Sequence, residues 1–131
     1  MEITNRDLIN AVPTLRRINQ DGLLPARPAV RFGRMMKQVQ GQLAIIQEAT
    51  RKIAGELAQK DEDGLPVQDS EGNLVLDDES RKLYEAQLEE MLDDSSGYSG
   101  PPLTYELLDS SGLAFSPADG ASLAPFIVDK E

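Results

Sequence analysis

The chain of 131 residues is acidic, with a net charge of −10, and contains neither cysteine nor histidine. These absences exclude disulfides, zinc–thiolate sites and both Ser–His–Asp and Cys–His catalytic arrangements. Hydrophobic residues make up 40% and aromatic residues 5% of the chain, so we expect one modest core.

The N-terminal segment predicts a capped helix. Thr4, with Asp7 three residues later, matches a capping box, in which each side chain accepts a hydrogen bond from the other residue's backbone. Pro13 removes one backbone hydrogen bond, so we expect this helix to bend or split there. The sequence Gln20-Asp21-Gly22 predicts its end.

A long helix is predicted from about Arg27 to Lys60, with a length of roughly 50 Å. Its apolar or near-apolar residues recur at alternating steps of four and three: Phe32, Met36, Val39, Leu43, Ile46, Thr50, Ile53 and Leu57. This spacing is typical of a helix buried along one side. We therefore expect other segments to pack along it and to bury Leu43, Ile46 and Ile53.

Three arginines lie near the start of this helix. Arg27, Arg31 and Arg34 are spaced at i, i+4 and i+7 and therefore share one face. The face either binds phosphate or an acidic partner, or is a solvated helix surface. The overall negative charge argues against direct nucleic-acid binding.

Two short apolar runs around the cluster 68–72 predict a β-hairpin near residues 65–76. The acidic residues here do not match a calcium-binding loop. In loops that start at Asp61 or Asp69, the sixth position is Pro66 or Leu74, where glycine is required. We therefore expect no bound metal.

Asp77-Asp78-Glu79 predicts the start of another helix, because negative charge stabilises a helix N-terminus. Its apolar side is formed by Leu83, Tyr84, Leu88, Met91 and Leu92. The Ser-, Gly- and Pro-rich segment 95–102 predicts a flexible linker. Alternation over 103–107 then predicts a strand.

A short final helix is predicted from the capping sequence Ser116-Pro117-Ala118-Asp119. Leu123, Phe126 and Ile127 give it an apolar face. A helix this short is unstable alone, so it must dock on another surface. We expect these three residues to bind a partner, together with the arginines above.

The sequence thus predicts a mainly α fold with a small β element (α+β). A long central helix carries shorter helices and a β-hairpin. The expected organisation is a helical domain at 1–94, a linker at 95–102, and a C-terminal strand plus docking helix at 103–131.

Charge is divided between the halves of the chain. Residues 1–60 contain ten basic and five acidic residues, a net charge of +5, whereas residues 61–131 carry −15. Either the acidic part folds back on the basic helix, or it meets a neighbouring subunit or another partner.

No phosphate-binding or dinucleotide-binding glycine motif is present, so we expect a protein that is not an enzyme and needs no cofactor. There is no run of about 18 apolar residues, and the first eight residues lack the apolar core of a signal peptide. We therefore expect no membrane segment.

Five stretches together carry a resemblance to a known family: 5–11, 24–26, 60–64, 116–119 and 123–127. The arrangement resembles a family of small uncharacterised proteins, a domain of unknown function, encoded by long-tailed bacteriophages. The matching residues mark helix starts and ends rather than catalytic motifs, so the resemblance implies no active-site residues. Segment 95–102 departs from the family's pattern.

The resemblance implies a virion-associated structural or assembly protein of the tail or neck. Such a protein acts through contacts with itself or with other phage structural proteins. The alternative is a phage-encoded protein that binds and inhibits or redirects a host protein, such as a polymerase or a defence factor. The expected location is the virion or the host cytoplasm.

Overall fold

A computed structural model describes residues 2–128. Its helices are α1 (Asn5–Asp21), α2 (Ala26–Leu57), α3 (Asp78–Asp93), α4 (Tyr105–Ser110) and α5 (Pro117–Leu123), followed by a 3₁₀ turn at Ala124–Phe126. The structure is 64% helical, and no strand or sheet forms within the described residues. The fold is therefore mainly α, and the predicted α+β class is wrong.

The predicted capping box begins α1. The Thr4 hydroxyl accepts the Asp7 backbone N–H at 3.1 Å, and the Asp7 carboxylate accepts the Thr4 N–H at 3.2 Å. α1 continues through Pro13 to Asp21, so the predicted split does not occur. Buried residues lie on both sides of Pro13, and we attribute the unbroken helix to their packing.

α2 agrees closely with the predicted long helix. Ile46 is buried, whereas Leu43 and Ile53 are only half-buried. Met35, which lies outside the predicted stripe, is buried together with Met36. The buried face of α2 is thus wider in its first half than the spacing indicates.

The chain forms two compact units. Unit 1 contains the described residues of 1–43 and 95–131, and unit 2 contains residues 44–94. This division differs from the predicted boundaries, because the segment that follows α3 belongs to the same unit as α1.

The core of unit 1 is built from α1, the first half of α2 and the C-terminal segments. α1 packs against α5. The largest fully buried side chains are those of Ile3, Leu8, Leu15, Ile18, Met35, Leu103, Leu123 and Phe126.

Segment 95–102, predicted as a flexible linker, contributes Ser96 and Tyr98 to the buried interior of unit 1. Ser96 donates its backbone N–H to the Ile3 carbonyl at 2.8 Å. The Tyr98 ring meets Phe126 edge to face at 5.4 Å, and its hydroxyl donates to the Pro101 carbonyl at 2.6 Å. Burial raises the pKa of Tyr98 to about 12.

The strand predicted at 103–107 is also wrong. The Thr104 side chain accepts the Leu107 N–H at 3.2 Å and so begins α4. Leu103 forms a single parallel bridge to Ile127. An alternating pattern of five residues also places Leu103 and Leu107 four apart, which is helical spacing.

The predicted cap of α5 forms as a capping box of Ser116 and Asp119, which also links α5 to α1. Asp119 accepts hydrogen bonds from the Ser116 N–H at 3.0 Å, the Thr14 hydroxyl at 3.3 Å and Arg17 at 3.1 Å. The Ser116 donor first, then Thr14 and the Arg17 charge, lower the pKa of Asp119. Arg17 also lies over the ring of Phe115.

In unit 2, the hairpin predicted near 65–76 is wrong. Two loops of one design take its place, at 61–65 and at 69–73. In each, the first aspartate accepts the backbone N–H groups two and four residues later, at 2.9 and 3.0 Å. Gly64 and Gly72, fourth in each loop, have φ of +79° and +82°, a region that favours glycine.

Strands do not form because three segments share the backbone hydrogen bonds. Gln59 donates to Val75, Val75 to Val67, and Val67 to Gln59, at 2.8 to 3.0 Å. Within unit 2, antiparallel pairing is confined to two single bridges, Lys60–Pro66 and Gln68–Leu74. No two segments therefore continue as a ladder.

α3 begins where the sequence predicts. The Asp77 carboxylate accepts the Ser80 N–H at 2.7 Å, and this hydrogen bond lowers the pKa of Asp77. The predicted apolar side is less buried than expected, because α3 has no buried residue and Leu83 is exposed.

Candidate functional site

The three arginines of the sequence prediction lie together on the surface of unit 1. Arg27, Arg31 and Arg34 are all exposed on the first half of α2. They line a groove of about 520 Å³ with Ala26, Val30 and Pro101. A second depression of about 500 Å³ shares Arg27 and Arg31 and extends to α4. We call the two together the arginine groove.

Packing on the opposite side of α2 turns the arginines outward. Phe32, Met35 and Met36 are buried and fix the rotation of the helix. The connection before α2 is held by the Leu23 N–H, which donates to the Ser111 carbonyl at 3.0 Å. The groove therefore lies on a regular helix that the core holds in place.

The groove is positively charged and its arginines are available for binding. No ion pair between described residues involves Arg27, Arg31 or Arg34. A guanidinium is permanently charged and presents five N–H donors in a plane, which suits carboxylates and phosphates. Glu106 is the acidic residue that lines the second depression.

The apolar part of the groove was missed by the sequence prediction. Val30 is 57% exposed although it is a large hydrophobic residue. Its spacing of three residues from Arg27 could have placed it on the arginine face. Pro101 could not have been found, because its segment was predicted to be a linker.

The predicted C-terminal binding residues are not on the surface. Leu123 and Phe126 are 1% and 0% exposed, and Ile127 is half-buried. The short helix docks as predicted, but it docks on its own chain, against α1. In the folded protein Leu123 and Phe126 are core residues, and their assignment to partner binding is corrected, whereas the assignment of Ile127 stays a prediction.

The described residues offer no metal site or membrane segment. Within residues 2–128, no three His, Cys, Asp or Glu side chains are grouped so that they could hold a metal ion. Nor does that part of the chain contain a helix both long and apolar enough to cross a membrane.

Fold and site together define a mainly α protein with an exposed basic groove whose lining is partly apolar. Comparison with family models, curated proteins and solved structures finds no match to this chain.

Proposed function

We propose that the protein is a non-enzymatic binding protein whose arginine groove receives an acidic surface of another protein molecule. One observation carries the proposal: three exposed arginines line one groove and make no ion pair with the described residues. Desolvated arginine–carboxylate contacts are among the stronger polar contacts at protein interfaces.

A protein partner fits the groove better than nucleic acid does. The chain carries a net charge of −10, which repels a polyanion at low ionic strength. Val30 and Pro101 offer apolar surface, which suits carboxylates interspersed with aliphatic side chains.

Binding of a labelled glutamate–leucine peptide, followed by fluorescence anisotropy, tests the proposal. We expect saturable binding that weakens as salt rises, because exposed charges are screened. A glutamine–leucine peptide, which carries no side-chain charge, should not bind. Arg31→Glu should abolish binding of the acidic peptide by placing like charges in contact.

Arg16→Glu is the matched control, because Arg16 is an exposed arginine of α1 that does not line the groove. It should leave peptide binding unchanged. Equal losses in both variants, or preferential binding of duplex DNA by the unmodified protein, would contradict the proposal.

The biological setting rests on the resemblance to tailed-phage proteins. It supports a structural or assembly role in the virion, in the tail or neck. Mass spectrometry of purified particles tests this role, and many copies per particle are expected. Absence from particles would instead favour a protein that binds a host factor.

A further inference from the structure

An exposed stripe along α3 is negatively charged, whereas the arginine groove is positively charged. Glu79, Leu83, Ala86 and Glu90 follow one another at spacings of four, three and four residues, and all four are exposed. They therefore share one narrow helix face. We call these four residues the acidic stripe.

The stripe has an apolar centre between two carboxylates. Leu83 is 49% exposed, and α3 contains no buried residue. No ion pair within the described part of the chain involves Glu79 or Glu90. The stripe is thus an unpartnered surface of unit 2.

The two surfaces match in chemistry, and the stripe is long enough to cover the arginines. The groove places Val30 among three arginines, as the stripe places Leu83 and Ala86 between two glutamates. From residue 27 to residue 34 the helix rises about 10 Å, and from 79 to 90 about 16 Å. One stripe therefore spans the arginines and reaches beyond them.

We infer that the acidic stripe of one copy binds in the arginine groove of a second copy. This inference rests on the proposed function, in which the groove receives an acidic protein surface. Charge complementarity selects this occupant, because unit 2 contains five basic and fifteen acidic residues whereas the groove is basic. Stripe against stripe would place glutamates together and is disfavoured.

The contact joins two different surfaces, so it is heterologous. Every copy carries one groove and one stripe, and each bound copy still offers one of each. Such contacts close into a ring or continue as an open chain, whereas a symmetric dimer would stop at two.

Sedimentation of the full chain with two charge-reversed variants tests the inference. The groove variant carries Arg27→Glu and Arg31→Glu, and the stripe variant carries Glu79→Arg and Glu90→Arg. The unmodified protein should self-associate, less so at high salt. Each variant alone should associate at least about tenfold more weakly, because like charges then face each other.

Mixing the two variants is the decisive step. Opposite charges then meet again at both surfaces, so association in the mixture should return toward that of the unmodified protein although each variant alone associates weakly. Glu85→Arg, on another face of α3, is the matched control and should associate like the unmodified protein. Circular dichroism checks that every variant keeps its helices.

A monomer at every concentration, or variants whose mixture stays monomeric, would overturn the inference. The proposed function has its own readout in the glutamate–leucine peptide. If the peptide binds the groove while the unmodified chain stays monomeric, the groove takes a different acidic protein, and the second-copy inference alone fails.

Discussion

Two leucines of unit 1 illustrate how the environment of a residue decides its role. Leu123, the last residue of α5, is 1% exposed in the core, whereas Leu23 is 83% exposed in the connection between α1 and α2. Leu23 adjoins Leu24 in the sequence, and Leu123 belongs to the apolar face of the last helix, so both were candidates for burial. Their environments predict opposite responses to the same substitution.

Leu123→Ala should lower the free energy of unfolding by about 2–5 kcal/mol, because it removes buried methyl groups and leaves a cavity. Leu23→Ala should change it by less than about 0.5 kcal/mol. Urea denaturation followed by circular dichroism measures both. Similar small effects of the two substitutions would show that the C-terminal segment does not form part of the core.

At this scale the sequence predicts local interactions well and distant ones poorly. The capping box at Thr4 and the N-cap at Ser116 were predicted because both partners lie within three residues. The burial of Phe126 could be predicted from the apolar face of the C-terminal helix. The surface against which Phe126 packs could not be predicted. An apolar helix face predicts that its side chains are buried. It does not predict whether the same chain or another molecule buries them.

The elements of unit 2 depend on two glycines. The loops at 61–65 and 69–73 repeat one design after eight residues, and each requires a glycine with positive φ. Gly41, by contrast, lies in α2, where an added methyl group would meet no atom outside the adjacent backbone of its own helix within 4 Å. Alanine at these sites therefore has opposite consequences.

Gly72→Ala should destabilise the protein by about 1–2 kcal/mol, because an L-residue with a side chain disfavours this region. Gly41→Ala should stabilise it by up to about 1 kcal/mol through its higher helix propensity. Urea denaturation of the two variants measures the pair. Stabilisation by both would mean that the second loop does not hold Gly72 at positive φ in solution.

The hairpin error has a physical cause at the same scale. Two apolar runs around a turn predict strands, but they do not reveal that a third segment, at Gln59, takes part in the hydrogen bonding. The repeated Asp-x-x-Gly pattern was the available signal for two closed loops. α2 was predicted correctly because its pattern persists over many turns, which no short run can match.

On the scale of the molecule, the net charge resides in unit 2. Unit 1 contains eight basic and eight acidic residues and is neutral, whereas unit 2 carries −10. Unit 2 also buries few apolar side chains, chiefly Ile46 and Ala58. Repulsion among the carboxylates of unit 2 therefore lowers its stability, and burial of apolar side chains contributes little to offset this.

Salt should consequently stabilise unit 2 more than unit 1. Raising the ionic strength from about 0.01 to about 1 M shortens the screening length from about 30 to about 3 Å. We expect amide hydrogen exchange to slow more in residues 44–94 than in α1. Unit 1 is the internal control, and an equal change in both units would contradict this explanation.

The backbone hydrogen bond from Ser96 to Ile3 joins distant parts of the chain, and this has a consequence for synthesis on the ribosome. Unit 1 joins residues from both sides of segment 44–94, and its core includes Phe126. α1 therefore leaves the ribosome long before the residues that cover it. Until those residues follow, its apolar face stays exposed to water and to chaperones. Unit 2 is contiguous in sequence, so all of its residues leave the ribosome before the C-terminal residues of unit 1 do.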